Sequence, residues 1–298
     1  MRTPPCRRRR RHRLDRGRHP APASSTPRHR TSQGTEDEAG VDRISVMDHL
    51  WQMPSLGAPE HEMLEAYTTL GWLAAKTERV KLLAMVTAVG HREPGLLAKA
   101  VTTLDVLSGG RAIFGIGVGA NADESAGLGL PFPPVAERFE RLEETLRIVR
   151  QMWSADEGPF DGKHYHLART LNSPQVLSRP HPPILIGGGG EKKTLKLVAR
   201  YADACNPAAV DLDDAARKLG VLRRHCADEG RDYDQIEKTA GHRFDLGKNG
   251  ENVTKTIEHL HALAELGFTQ THGPLLHVSE PGRLDLFGER IIPAVEKF

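Results

Sequence analysis

Residues 81–119, KLLAMVTAVGHREPGLLAKAVTTLDVLSGGRAIFGIGVG, decide the fold. Lys81–Val89 is an apolar and β-branched run of strand type, Pro94–Leu107 has helical period, and Arg111–Ile116 is a second strand. A strand, a helix and a strand in this order are the unit of a parallel sheet covered by helices. The same alternation continues on both sides. Upstream lie a strand at Ile44–Met47 and a helix over Glu62–Lys76; downstream, Val135, Phe139, Leu142, Leu146 and Val149 fall on one face of a long helix that Pro133 and Pro134 suit at its start. Residues 154–182 interrupt the rhythm with Gly158-Pro159 and Asp161-Gly162, as an insertion between barrel strands would.

The pattern resumes with a strand at Ile184–Ile186, glycines at Gly187–Gly190 and a helix to Tyr201. A strand at Ala202–Cys205 and a helix over Asp213–Asp228 come next. Strands near Ile236–Ala240 and Phe268–His272 and helices at Val253–Leu266 and Gly282–Val295 complete the series. The fold class expected is α/β, a (β/α)8 TIM barrel with an insertion around 154–182. Seven strands follow residue 40, one short of a closed barrel, so the first barrel strand is expected to be missing or replaced.

The net charge of +2 conceals an asymmetry, because residues 1–34 hold eleven arginines against the single acid Asp15 and leave the remaining 264 residues at −8. With only Met1, Cys6, Leu14, Ala21 and Ala23 as apolar positions, residues 1–34 are expected to be a disordered tail, and 35–298 the barrel domain. The arginines lack the aromatic interleaving of a nucleic-acid reader, so no nucleic-acid partner is expected. They also precede no apolar export segment. Nowhere do about 18 apolar residues run together, which speaks against a membrane span. Cys6, Cys205 and Cys226 are odd in number without C-x-x-C spacing, which fits a reducing cytoplasm better than a disulfide framework or a zinc site.

In a parallel barrel, chemistry sits just beyond the carboxyl ends of the strands. Asp48-His49 follows the first strand; a histidine titrating near neutrality can shuttle protons and a neighbouring carboxylate can orient it, whereas a helix cap beside a polar residue is the plainer alternative. Thr87-Ala88-Val89 offers small side chains that would let a flat ring approach. Gly115-Ile116-Gly117-Val118-Gly119 with Asn121 resembles a phosphate loop, although its glycine spacing departs from G-x-G-x-x-G. The strongest physical signal is Gly187-Gly188-Gly189-Gly190-Glu191-Lys192-Lys193-Thr194. Backbone N–H groups at a helix start, two lysines and a hydroxyl make an anion site, and lysines there oppose the helix dipole unless an anion explains them. His164-Tyr165-His166 has an H-x-H pattern without a third ligand at suitable spacing, so no metal is expected.

Four strings together resemble the luciferase-like monooxygenase superfamily, in particular its F420-dependent oxidoreductases: Val46-Met47-Asp48-His49, Leu97–Arg111, Phe160–Tyr165 and Arg179–Ala204. The resemblance runs from about residue 36 to the end. It implies a TIM barrel with an insertion, and the deazaflavin coenzyme F420 or, alternatively, FMN with oxygen, acting on a small-molecule substrate. His49 becomes the catalytic proton-handling residue, with Asp48 contacting the cofactor or orienting that histidine. Thr87, Ala88 and Val89 become a bulge behind the ring, where relatives often carry a non-proline cis peptide. Asn121 would contact the cofactor, and Gly188, Gly189, Lys193 and Thr194 its phosphate-bearing tail. In the sugar-phosphate branch an acid stands where this chain has Val118, which argues against glucose-6-phosphate. Relatives also tend to carry an aromatic residue at Ala120 and a tyrosine at His91, so a non-catalytic F420-binding protein is a further reading. Monomer and homodimer both stay open. Because the arginine run stands where relatives have a barrel strand, residues 1 to about 32 are read as a reading-frame error or unusual start. The strand at Ile44–Met47 and the last strand would then each expose an unpaired edge.

Overall fold

The computed structural model describes residues 39–207 and 211–298. The chain divides into Met1–Ser32 and Gln33–Phe298. The expectations about the arginine tail lie outside the described residues.

Seven strands line the barrel wall: β1 (Arg43–Val46), β2 (Lys81–Ala84), β4 (Ala112–Gly117), β7 (Ile184–Gly187), β8 (Ala204–Asn206), β9 (Glu237–Gly241) and β10 (Gln270–His272). They pair in that order, every pair parallel, and the two-residue β3 (Thr87–Ala88) adds to the upper end of β4. Among the described residues no strand joins β10 to β1, and the nearly closed sheet they form has its two ends there. The interruption at 154–182 holds an antiparallel hairpin of β5 (Phe160–Asp161) and β6 (His166–Leu167).

The helices are α1 (Ala66–Ala74), α2 (Pro94–Leu107), α3 (Ala122–Gly127), α4 (Val135–Met152), α5 (Thr194–Tyr201), α6 (Leu212–Asp228), α7 (Val253–Glu265), α8 (Arg283–Arg290) and α9 (Ile292–Val295). β4 is buried along its whole length, as a parallel strand covered on both faces must be. Leu142, Leu146 and Val149 of α4 reach the same core as Phe114 and Ile116 of β4, and the Trp153 ring meets Phe114 edge to face at 5.6 Å.

The LDVLSGGR string has a structural explanation. Gly109 and Gly110 turn the chain at φ +69° and +89°, a region costly for other residues. Arg111 then donates to the carbonyls of Ala74, Thr77 and Val80, satisfying groups left over where α1 ends. The buried Asp105 accepts from the N–H groups of Leu177 and Ser178 at 2.7 and 2.9 Å and so ties the inserted segment to α2.

Three elements differ from expectation. The first helix starts at Ala66 instead of Glu62, because the Glu65 carboxylate caps it by accepting from Thr68 N. The expected strand Lys81–Val89 is two strands separated by a cis Met85–Val86 peptide. The expected last helix is split into α8 and α9, since Pro293 has no N–H to continue the ladder. Among the described residues no helix is long and apolar enough to cross a membrane.

Candidate active site

The residues expected to carry chemistry follow the carboxyl ends of β1, β3, β4 and β7, which all point the same way and therefore open on one face of the barrel. After β1, the two candidates separate. Asp48 is buried and accepts both guanidinium arms of Arg92, at 2.5 and 3.0 Å. Arg92 also donates to Glu65 at 2.5 Å and lies 4.8 Å over the Tyr67 ring, whose hydroxyl meets Thr87 Oγ1 at 2.9 Å. Burial alone would lower the Arg92 pKa, but its hydrogen bonds to Asp48 and Glu65 prevail and raise it, so this is a fixed ion pair. Burial pushes the Tyr67 hydroxyl well above its ordinary value, so it stays protonated.

His49 is not oriented by Asp48. Its Nδ1 lies 2.8 Å from Glu124 Oε2, while Glu124 Oε1 accepts from Leu50 N and, at 3.0 Å, from Trp51 N. Glu124 is fully buried. Burial raises its pKa, but the His49 contact and the two backbone donors outweigh that and hold the carboxyl below the ordinary range, so it is a carboxylate near neutrality. Two carboxylates with separate partners thus meet the segment that leaves β1: Asp48 from that segment itself and Glu124 from α3.

Glu124 is the residue that sequence reasoning missed. It rides on α3, a helix of 6 residues. The signal for it was Asn121-Ala122-Asp123-Glu124, the spacing of a capping box. Asn121 Oδ1 does accept from Glu124 N at 3.2 Å, which commits the oxygen of Asn121 to the helix start. Trp51 closes over α3 at Gly127, where a Cβ would lie 2.0 Å from its ring.

The bulge behind this site is built by absent side chains. A Cβ on Gly187 would meet Val86 at 2.8 Å and one on Gly117 would meet it at 3.0 Å, so both glycines make room for the segment at Met85–Val86. Of the three residues expected there, Thr87 is fully buried and bonded to Tyr67, and Val89 turns into the main core with its N–H on Gly117 O at 2.9 Å. Ala88 keeps some exposed surface, as do Met85 and Val86. His91, just beyond, is half-buried with its Nδ1 unpartnered; burial lowers its pKa against the raising influence of Asp48 and Glu124.

At β7 the chain leaves through Gly188, at φ +107°, and reaches α5 at Thr194. A cleft of about 480 Å³ here brings Lys192, Lys193, Arg217 and Lys218 together with the carboxylates of Glu191 and Asp214; Lys218 pairs with Asp214 at 2.6 Å and Arg217 with Glu191. Lys192 and Lys193 are exposed, Thr194 is buried, and the Lys193 ammonium lies 5.4 Å from the centre of the Phe139 ring. The H-x-H histidines disperse, His164 to Glu140 at 2.7 Å and His166 to Asp161 at 2.6 Å. Cys205 is a buried thiol pushed up to about 12, which makes it inert. A larger cavity of about 760 Å³ lies between the edges of β1 and β10 and contains none of these groups.

The luciferase-like monooxygenase family profile matches residues 17–282, and the chain is a member of that family. The chain is 32% identical over 249 residues to an F420-dependent glucose-6-phosphate dehydrogenase of Kineococcus radiotolerans, a match covering 81% of this chain and 69% of that relative. It spans about half the length of several other curated relatives, for example 55% of an uncharacterized protein of Mycobacterium tuberculosis. Among solved structures, an F420-dependent secondary alcohol dehydrogenase superposes with TM-score 0.74 at 18% identity over 88% of this chain and 92% of that one. A long-chain alkane monooxygenase superposes with TM-score 0.76 at 14% identity, over 89% and 82%. These two establish the shared fold.

Proposed function

We propose that this protein is an F420-dependent oxidoreductase that moves hydride between the deazaflavin ring and a small organic substrate. The observation that carries the reading is the His49–Glu124 pair standing at the same barrel mouth as the glycine-lined bulge and the lysine-flanked turn, in a chain 32% identical to an F420-dependent relative.

The residues present suit such a cofactor. Gly117 and Gly187 make room for Val86, and Gly119 for Ala88, which leaves a low surface against which a flat ring can lie. Gly189, Lys193 and Thr194 offer a backbone donor, a cation and a hydroxyl for phosphate, whereas the expected Gly188 spends its N–H on the Asn206 carbonyl at 2.9 Å and has none to give. When bound, F420 supplies the hydride or accepts it at its C5 carbon. Around it the protein supplies position and proton handling. His49 donates Nδ1–H to the Glu124 carboxylate, which leaves Nε2 to take a proton from, or return one to, the substrate oxygen that changes charge. Asp48 and Arg92 neutralise each other beside it and hold the strand end rigid. Asn121 keeps its amide N–H groups for the cofactor. The resemblance implies an acid in the sugar-phosphate branch at the position of Val118, and on that ground we propose a substrate other than glucose-6-phosphate.

The reading is tested by supplying reduced F420 without oxygen together with a panel of enones, aldehydes and ketones, and following the reappearance of oxidised F420. Turnover with at least one acceptor that is lost in His49→Ala supports it. Turnover that appears only with reduced FMN and oxygen would identify a monooxygenase instead.

A further inference from the structure

We infer that Glu124 is the positioning residue that selects the working tautomer of His49. The inference deepens the proposed function, since it rests on His49 as the proton-handling group, but its test reads the free protein and needs no cofactor.

The argument starts from the two oxygens of one buried carboxylate. Oε1 is occupied by two backbone donors, Leu50 N and Trp51 N, while Oε2 faces only the His49 ring at 2.8 Å from Nδ1. An ionised carboxylate accepts and cannot donate, so Nδ1 must carry the proton. The low pKa of Glu124 follows from the same contacts and keeps this arrangement at neutral pH. Nε2 makes no hydrogen bond to any described residue and is not sealed in the interior, so it is the nitrogen offered to a ligand. Asp48 cannot substitute, because both its oxygens are held by Arg92. Glu124 in turn is fixed by the start of α3, where Asn121 receives its N–H. A histidine 75 positions away in sequence is thereby held in one of its two neutral forms.

The variant Glu124→Gln tests this without changing shape. The glutamine carbonyl oxygen can still accept from Leu50 and Trp51, which places its NH2 group opposite Nδ1. Two donors cannot face each other, so Nδ1 must become the acceptor and Nε2 the protonated nitrogen. The reverse amide orientation would set the NH2 against two backbone N–H groups and is the worse of the two. A purely structural carboxylate would leave the imidazole tautomer where it was.

The experiment is 15N NMR of histidine side chains in the full chain, above the ordinary imidazole pKa of about 6.5, with the His49 signals assigned by their loss in His49→Asn. Wild type is expected to show Nδ1 protonated and Nε2 bare, and Glu124→Gln the inverted pattern. A wild-type His49 protonated on Nε2 overturns the inference whether or not the variant folds. So does an unchanged tautomer in a folded Glu124→Gln. Failure of F420 to bind would bear on the proposed function alone. Once an acceptor is known, the same variant should lose kcat on the order of 10²–10⁴-fold with KM little altered.

Discussion

Replacing His272 with leucine should remove a defined part of this protein's sensitivity to acid. His272 closes β10 and is 8% exposed, with a buried Nε2 that has no partner. Burial lowers its pKa most, Arg43 lowers it further and Glu237 opposes them, leaving it pushed down to about 4 from the ordinary 6.5. Because the folded value is depressed, the neutral ring costs nothing above the unfolded pKa. As pH falls through 6.5, the unfolded chain takes up a proton that the folded one refuses, and stability drains until the folded value near 4 is passed. A shift of that size corresponds to about 3 kcal/mol once both states are protonated, and to about 2 kcal/mol at about pH 5. Other groups titrate in the same window, including His242, whose pKa is lowered by burial and by the neighbouring His259. The informative quantity is therefore a difference of differences. Urea unfolding of wild type and His272→Leu at about pH 7.5 and about pH 5 should show wild type losing about 2 kcal/mol more than the variant. Parallel losses would refute the reasoning.

Four further outcomes follow from the geometry around single residues. Arg92→Met strips Asp48 of both its hydrogen bonds and leaves a buried carboxylate uncompensated, so it should destabilise by roughly 3–5 kcal/mol in chemical unfolding. Gly115→Ala places a Cβ 2.1 Å from the carbonyl oxygen of Ala84 and should cost more than about 2 kcal/mol, whereas Gly71→Ala on α1, with nothing within 4 Å, should stabilise by about 0.5–1 kcal/mol; differential scanning calorimetry reads both. Lys193→Ala should weaken F420 binding by roughly tenfold and steepen nothing in its salt dependence, since a lost phosphate contact flattens that slope; isothermal titration at two salt concentrations decides.

The barrel was legible because its signals are local and long. The apolar run of β4 and the 3.6-residue spacing of Leu142, Leu146 and Val149 are set by burial on two faces and on one, respectively. The split between β2 and β3 was not legible from the residues themselves, although the family resemblance led to a bulge with a cis peptide at Thr87–Val89, and the cis bond falls just before it at Met85–Val86. Nothing in the residues of Met85–Val86 marks a break in an apolar strand; the space for it is made by Gly117 and Gly187, which come from other strands. The site divides the same way. His49 and the lysine turn announce themselves by position after a strand, but the partner of His49 lies on a six-residue helix with no hydrophobic period, and a contact across 75 residues has no local trace. Asp48, adjacent in sequence to His49, was the natural choice of orienting carboxylate. Arg92 overrides that choice by geometry, because a bidentate guanidinium leaves neither oxygen for the ring. Pro293, by contrast, stood in the sequence as a readable helix break.

The most direct test of the central claim is a fluorescence titration of the full chain with F420, run in parallel with FMN. The account predicts saturable F420 binding in the micromolar range or tighter, weakened by Lys193→Ala, with FMN bound far more weakly. Tight binding of FMN with none of F420, in a chain that unfolds cooperatively, would contradict it.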